Sequence, residues 1–217
     1  MKDRVLRQEV IDELEFDPSF DSAHIGVAVE NGVVTLAGHV ESFDQKLAAI
    51  AAARRVRGVH AIAGEIEVRY PFQSKTADDQ IAGRAMDVLK WNTTVSAFSI
   101  DVLVQSRWIT LSGTTDWDFQ RREAEDCVRR LSGVVGVTNE IQLKPRPSVE
   151  GIKGKIEAAL KRHAELEARA IKVSLKDGNC VVLEGKVDTL AEKRAAEGAA
   201  WSAAGVTDIE DQLAVGG

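Results

Sequence analysis

The sequence predicts an α+β protein of three tandem αββαβ units, each a three-stranded mixed sheet with two helices on one face. The first observation behind this prediction is a glycine that recurs at nearly equal separations, at Gly38, Gly113 and Gly185. The second is a Gly-Val pair at the same offset after each of them, at Gly58-Val59, Gly133-Val134 and Gly205-Val206. A register kept three times in succession indicates an internal repeat, so the elements are assigned copy by copy.

The first helix and the first strand of each copy are predicted from apolar spacing. Apolar residues four apart mark one helical face; they are Leu6, Val10 and Leu14, then Ile81, Ala85 and Leu89, then Ile152, Ile156 and Leu160. Apolar residues two apart then indicate a strand buried on one side; they are Ile25, Val27 and Val29, then Ile100, Val102 and Val104, then Ile171, Val173 and Leu175.

A hairpin, a second strand, a second helix and a third strand complete each copy. Asn31-Gly32 and Asp177-Gly178 accept positive φ at low cost, which predicts tight hairpin turns. The second helix is predicted to follow a cap at Ser42, Asp116 and Thr189. Since strand–helix–strand crossovers are right-handed, the second and third strands are expected to be parallel, with strand order 1-2-3.

Prolines mark the expected boundaries between the copies. Pro71, Pro145 and Pro147 stand where one copy ends and the next begins. The predicted domains are residues 1–72, 73–147 and 148–217, and the alternative of one continuous domain stays open. Each predicted domain is small for a self-sufficient core, so docking between neighbours is expected.

Composition excludes several classes of protein. The chain has 34 acidic and 28 basic side chains and a net charge of −6, which disfavours binding to nucleic acid. Charges interrupt the amino-terminal segment every few residues, so we expect no secretory signal, no transmembrane segment and a cytoplasmic location. Cys127 and Cys180 are too few for a disulfide framework and fit a reducing compartment, although one bridge stays open.

No residue pattern points to catalysis, a cofactor or a metal. The histidines are His24, His39, His60 and His163, and no third ligand is evident beside any pair. His24 and His39 flank the first hairpin, where antiparallel pairing can bring them side by side, and two exposed polar histidines are favoured there over a metal site. We therefore expect a non-enzyme without cofactor or metal, and no concave site that gathers two or more of the histidines and cysteines with an acidic residue within hydrogen-bonding distance.

Candidate interaction residues are apolar side chains that the repeat places outward. Trp201 takes a second-helix position that holds arginine in the other two copies. Leu103 and Trp108 fall on the sheet face that no helix of their own copy covers, and Trp117 and Phe119 open the second helix of that copy. Packing between the copies is the favoured interpretation of these five residues, and a partner or a lipid surface is the alternative.

The repeat resembles the BON domain, three times over essentially the whole chain. The resemblance is carried by the alanine-rich second helix, by the Gly-Val pairs and by a Leu-x-Gly after the second strand, at Leu36-Ala37-Gly38, Leu111-Ser112-Gly113 and Leu183-Glu184-Gly185. Asn139-Glu140-Ile141 matches the closing strand of the family best. The family implies αββαβ modules, often in envelope or osmotic-stress proteins, that are proposed to bind phospholipid or other partners.

This resemblance implies a non-catalytic binding protein in osmotic or envelope stress adaptation. Its expected ligand is a phospholipid surface or a protein partner, and the exposed sheet faces also offer a route to a homo-oligomer. The alternative is a sensor of a small cation of the potassium type, because one relative binds potassium. Many relatives are periplasmic, whereas the cytoplasm is expected for this chain.

Overall fold

The computed structural model describes residues 2–70, 77–96, 98–144, 151–162, 171–176 and 179–216. Some residues used in the sequence analysis lie outside these described residues: Pro71, Pro145, Pro147, His163 and the Asp177-Gly178 turn.

The same order of elements, helix–strand–strand–helix–strand, occurs three times. The first copy contains α1 (Lys2–Phe16), β1 (Ile25–Glu30), β2 (Val33–Val40), α2 (Phe43–Arg55) and β3 (Ala61–Val68), with a one-turn 3₁₀ helix at Ser22–His24 before β1. The second copy contains α3 (Asp78–Trp91), β4 (Ile100–Gln105), β5 (Trp108–Thr115), α4 (Asp118–Arg129) and β6 (Gly136–Leu143). The third copy contains α5 (Ile152–Arg162), β7 (Ile171–Lys176), β8 (Cys180–Val187), α6 (Leu190–Trp201) and β9 (Asp208–Val215).

Each copy forms its own three-stranded sheet, in which the strands lie in chain order. The first two strands are antiparallel and the last two are parallel, in the same register in every copy. The predicted α+β class, the mixed sheet and the strand order 1-2-3 are therefore confirmed.

The repeated glycine stands at an equivalent place in β2, β5 and β8, opposite the first residue of the preceding strand. Gly38, Gly113 and Gly185 have φ of 140°, 130° and 137°, a backbone conformation that L side chains rarely adopt. A Cβ at Gly38 would collide with the carbonyl oxygen of His24, and one at Gly113 with that of Ser99. Close approach of the backbone just before the first strand therefore explains the glycine at Gly38 and Gly113.

The core of each copy lies between one sheet face and the two helices of that copy. On β2, Val34 and Leu36 are fully buried in a cluster with the apolar face of α1, whereas Val33 is exposed. Residues at the same register are buried on the other central strands: Ile109 and Leu111 on β5, and Val181 and Leu183 on β8. Residues that alternate with these, such as Val33 and Trp108, lie on the opposite, outer sheet face and are exposed there.

Two of the three predicted helix caps are confirmed. Ser42 Oγ accepts a hydrogen bond from the backbone of Gln45 at 3.2 Å, and Thr189 Oγ1 accepts one from Glu192 at 3.0 Å. The prediction of Asp116 as the cap of α4 is wrong, because the cap position is taken by Trp117. The side-chain oxygen of Gln120 accepts from the Trp117 N–H at 3.0 Å, which is the hydrogen bond that the third helical residue makes to the cap residue in a capping box.

Among the described residues, no helix combines the length and the apolar character that crossing a bilayer requires.

Candidate functional site

The second helices of the three copies contact one another at their ends. Three of the five candidate interaction residues, Trp117, Phe119 and Trp201, lie at these helix ends. Asp44 in the first turn of α2 forms an ion pair with Arg129 at the end of α4. Arg121 in the first turn of α4 stacks on Trp201 at the end of α6. Asp188, just before α6, pairs with Arg57, just after α2. The start of each second helix thus contacts the end of another, and the three contacts close a ring.

The first residue of each second helix is the anchor of one contact. Phe43 of α2 is 9% exposed and belongs to the core of the second copy rather than to its own. Leu190 of α6 packs in the same way against the core of the first copy. The equivalent residue of α4 is Asp118, which is only 3% exposed.

Asp118 is neutralised by a cationic cluster that reaches the third copy. Its carboxylate pairs with Arg121 and with Arg122, the latter at 2.7 Å. The Arg121 guanidinium carbon lies 4.7 Å from the centre of the Trp201 ring, within the range of a cation–π contact. Trp201 is half-buried in the contact between the second and third copies, not on an isolated solvent face.

The remaining residues of the candidate interaction surface divide into one half-buried and three exposed side chains. Trp117 is half-buried at the start of α4. Leu103, Trp108 and Phe119 are exposed. The structure therefore does not bring all five residues into one surface, since Trp117 and Trp201 are at the ring of second helices and Leu103 and Trp108 are on the outer sheet face.

Trp108 lies flat on that outer face of the second copy. A Cβ at Gly136, the residue paired with Trp108 on the neighbouring strand, would overlap the indole ring, which shows how closely the ring covers the backbone. The indole N–H donates to Thr138 Oγ1 at 2.8 Å. The ring is thus held in one orientation while 46% of the residue is still open to solvent.

Sequence reasoning missed the most exposed aromatic residues. Phe16 at the end of α1 is 82% exposed and Trp91 at the end of α3 is 83% exposed, and both occupy the same position of the repeat. Met86, five residues earlier on α3, is also exposed. The signal was present in the sequence, because all three residues lie off the helical face marked by the buried apolar triplets.

A groove beside Met86 separates α3 from the chain that follows it. Its volume is about 160 Å³, and its lining includes Met86, Lys90, Val95 and Phe98. The ammonium nitrogen of Lys144 lies 5.3 Å from the centre of the Phe98 ring. Most side chains that line the groove are apolar, and Lys90 and Lys144 lie beside them.

A second concavity contains two of the histidines. The rings of His24 and His39 stack with centroids 4.7 Å apart and an angle of 19° between their planes. They line a cavity of about 340 Å³ together with Asp21 and Glu41, among others. The cavity lining thus brings two histidines and two carboxylates together, and the expectation that no acidic residue lies within hydrogen-bonding distance of such a pair stays a prediction. His60 lies at the opposite end of the sheet, where its backbone N–H donates to the carbonyl of Gly32.

The cysteines carry no sign of catalytic activation. Cys127 and Cys180 are both free thiols and half-buried. Burial is the main factor that raises the pKa of each thiol, and nearby carboxylates add to it, so the reactive thiolate is disfavoured.

A carboxyl pair lies beside the junction of the first and third copies. Burial, followed by a hydrogen bond with Asp211, raises the pKa of Glu197 to about 6. Burial opposes ionisation of Asp211 too, but its hydrogen bond from Lys193, at 2.8 Å between the charged atoms, holds its pKa below the ordinary value. Arg54 of the first copy lies near Glu197 and Arg194. Burial is the main factor that lowers the pKa of Arg54, and the positive charge of Arg194 lowers it further.

Comparison with known proteins finds one family and one curated relative. A family model described as the BON domain matches residues 2–70, 77–145 and 148–217. Osmotically-inducible protein Y of Escherichia coli (strain K12) is 28% identical over 153 residues, which cover 66% of this chain and 74% of that protein. Two solved structures of CdsD, a structural protein of the Type III secretion system of Chlamydia trachomatis, align at 13% identity with TM-scores of 0.27, over 97% and 98% of this chain and 92% and 98% of those chains.

Proposed function

The chain belongs to the BON domain family. We propose that it is a non-catalytic binding protein that acts in adaptation to osmotic or envelope stress. We also propose that its second copy contacts a phospholipid surface. The similarity to an osmotically inducible protein supports the stress role. The observation that carries the lipid contact is the exposed end of α3, where Trp91 and Met86 project into solvent beside Lys90.

The chemistry of this helix end suits the boundary between lipid headgroups and acyl chains. An indole has an apolar body and a polar N–H, and tryptophan is accordingly enriched at membrane interfaces. Lys90 and Lys144 can approach anionic headgroups while the groove lined by Met86 and Phe98 receives apolar groups. The second copy, unlike its neighbours, has equal numbers of acidic and basic side chains, ten of each, so it meets less repulsion from an anionic surface.

The outer sheet face of the second copy is the second contact surface that we propose. Leu103 and Trp108 are exposed there on a rigid sheet, and the Trp108 indole N–H is already used by Thr138. A fixed aromatic ring with little apolar area around it suits a protein partner, or a second copy of this chain, better than a fluid bilayer.

Vesicle flotation of the full chain tests the lipid contact. We expect the protein to float with vesicles of phosphatidylglycerol and phosphatidylethanolamine, and Trp91→Ala to lose most of this binding because it removes the largest exposed side chain. Trp108→Ala is the matched control, an exposed tryptophan of the same copy on a different face, and should float as the unmodified chain does. Absence of flotation, or equal loss in both variants, would contradict the proposed site.

The competing function, a sensor of a small cation, makes a different prediction. A cation that binds only the native state raises the melting temperature. An increase that is specific for potassium over sodium at equal ionic strength, without flotation, would favour the sensor over the lipid contact.

A further inference from the structure

We propose that the first copy binds a divalent transition-metal ion, of the zinc, nickel or copper(II) class, through the imidazoles of His24 and His39. The inference concerns a cavity on the first copy and is independent of the lipid contact proposed for the second.

Both imidazoles are positioned by the end of the β1–β2 ladder. Ile25 pairs with Gly38, so His24 and His39 come next to each other just beyond that pair. The absence of a side chain at Gly38 lets the His24 carbonyl approach closely. The Asp21 carboxylate accepts from the Ala23 N–H at 2.9 Å and thereby caps the 3₁₀ turn that ends at His24. The end of the ladder thus places the two imidazoles side by side, with ring centroids 4.7 Å apart.

The cavity beside the rings supplies space and oxygen atoms. It measures about 340 Å³, and Asp21, Glu41 and Gln45 also line it. This volume admits an ion together with several water molecules.

The basic and phenolic groups of the same lining are already engaged. Arg69 hydrogen-bonds Glu67 through two guanidinium nitrogens, at 2.9 and 2.7 Å. The Tyr70 hydroxyl donates to the carbonyl of Val134 in the second copy at 2.6 Å. The charge that faces the cavity from its other side chains is therefore the negative charge of Asp21 and Glu41, which favours a cation.

The donor set selects the class of ion. Neutral imidazole is a good ligand for zinc, nickel and copper(II), whereas potassium, calcium and magnesium prefer oxygen donors. In the part of the chain that the structure describes, no group of three or more histidine, cysteine, aspartate and glutamate side chains is arranged to hold a metal. The protein itself contributes the two imidazole nitrogens, and water molecules complete the coordination.

The pair is particular to the first copy. The residues equivalent to His24 and His39 are Ser99 and Thr114 in the second copy, and Ala170 and Lys186 in the third. The expected stoichiometry is therefore one ion per chain, because the second and third copies lack the histidine pair and should bind no ion at this position.

Calorimetric titration of the untagged, metal-free full chain with Ni²⁺ or Zn²⁺ at neutral pH is the test. We expect one ion to bind, and His24→Ala and His39→Ala each to weaken binding by about tenfold or more because a single imidazole remains. His60→Ala removes an exposed imidazole at the other end of the same sheet and should bind as the unmodified chain does. Copper(II) added in equimolar amount should show two coordinated imidazole nitrogens by electron paramagnetic resonance.

Three results would overturn the proposal. One is unchanged affinity in both His24→Ala and His39→Ala, which would show binding elsewhere. Another is equal loss in His60→Ala, which would show nonspecific binding to surface imidazoles. The third is a copper spectrum with fewer than two imidazole nitrogens. Circular dichroism of each variant establishes that a loss of binding is not a loss of folding.

Discussion

At the scale of single residues, one position of the repeat is filled differently in each contact between copies. Phe43 and Leu190 are apolar anchors, and the helix ends that face them carry Arg129 and Arg54. In the third contact the anchor is Asp118, and the facing helix end carries Trp201. The charged and apolar partners have exchanged places, so the arginine-to-tryptophan change is compensated across the contact rather than within its own copy.

Glu197 provides a residue-scale prediction about pH. Its folded pKa of about 6 lies above the ordinary value of 4.5, so the fold favours the protonated carboxyl. The free energy of unfolding therefore falls as pH rises from about 4.5 through 6, and the loss is complete above that range. Because the side chain is partly exposed, solvent screening limits the effect to about 1 kcal/mol.

Glu197→Gln should therefore raise the melting temperature at pH 7.5 and leave it nearly unchanged at pH 4.5. Asp211→Asn is the paired control and should lower stability at pH 7.5, because it removes the carboxylate that accepts from Lys193 and from the Leu213 N–H. The same gain for Glu197→Gln at both pH values would contradict the assigned ionisation.

At the scale of secondary-structure elements, the repeat conserves the points where elements begin, turn and approach one another. The side-chain oxygens of Ser42 and Thr189 cap their helices. In the second copy, where Trp117 holds the cap position, the side-chain oxygen of Gln120 accepts from the Trp117 N–H instead. The hairpin of the second copy is made without glycine, by Ser106 and Arg107 at φ of 52° and 65°. Asp78 at the start of α3 accepts from both of their backbone N–H groups at 2.8 Å, which holds this turn in place.

Gly113 gives the corresponding prediction. Gly113→Ala should destabilise the protein by about 2 kcal/mol or more, because φ is positive and the new Cβ would collide with the Ser99 carbonyl. Gly83→Ala is a matched control on the exposed side of α3, where a Cβ would meet no atom within 4 Å. It should stabilise the helix by about 0.5–1 kcal/mol. Urea unfolding measures both, and equal effects of the two substitutions would argue against a special role for the strand glycine.

At the scale of the whole molecule, the three cores are joined by contacts of their second helices. Phe43 extends the core of the second copy, Leu190 packs on that of the first, and Arg121 on Trp201 links the second to the third. Tyr70 adds a hydrogen bond from the first copy to the backbone of the second. The stability of one copy is therefore expected to depend on its neighbours.

Phe43→Ala tests this dependence. It should cost about 3 kcal/mol and speed amide hydrogen exchange in β5 and β6 of the second copy, although the substitution lies in the first. Leu103→Ala, an exposed apolar residue of the second copy itself, should leave exchange in these strands nearly unchanged. Faster exchange confined to the first copy after Phe43→Ala would show that the copies are energetically independent.

The sequence by itself determined the architecture, because each local signal was repeated three times and each is a short-range effect. Helical spacing, strand alternation, glycine at positive φ and the capping residues act within a few positions of the chain, and they were enough for the element types and most element starts. The strand order then followed from the right-handed crossover rule. The predicted cap at Asp116 was the exception. The cap position holds Trp117, which is not a usual capping residue, and the helix start is stabilised instead by Gln120, whose side-chain oxygen accepts from the Trp117 N–H.

Only the tertiary structure decided which outward-facing residues are covered. The sequence pattern gives the direction of a side chain relative to its own helix or sheet, but not the position of the neighbouring copy. Trp201 meets Arg121, Trp108 stays open to solvent, and the stacked rings of His24 and His39 share a cavity with two carboxylates. These outcomes depend on contacts between segments far apart in the chain, because docking is governed by the complementarity of whole surfaces rather than by the periodicity of any one element.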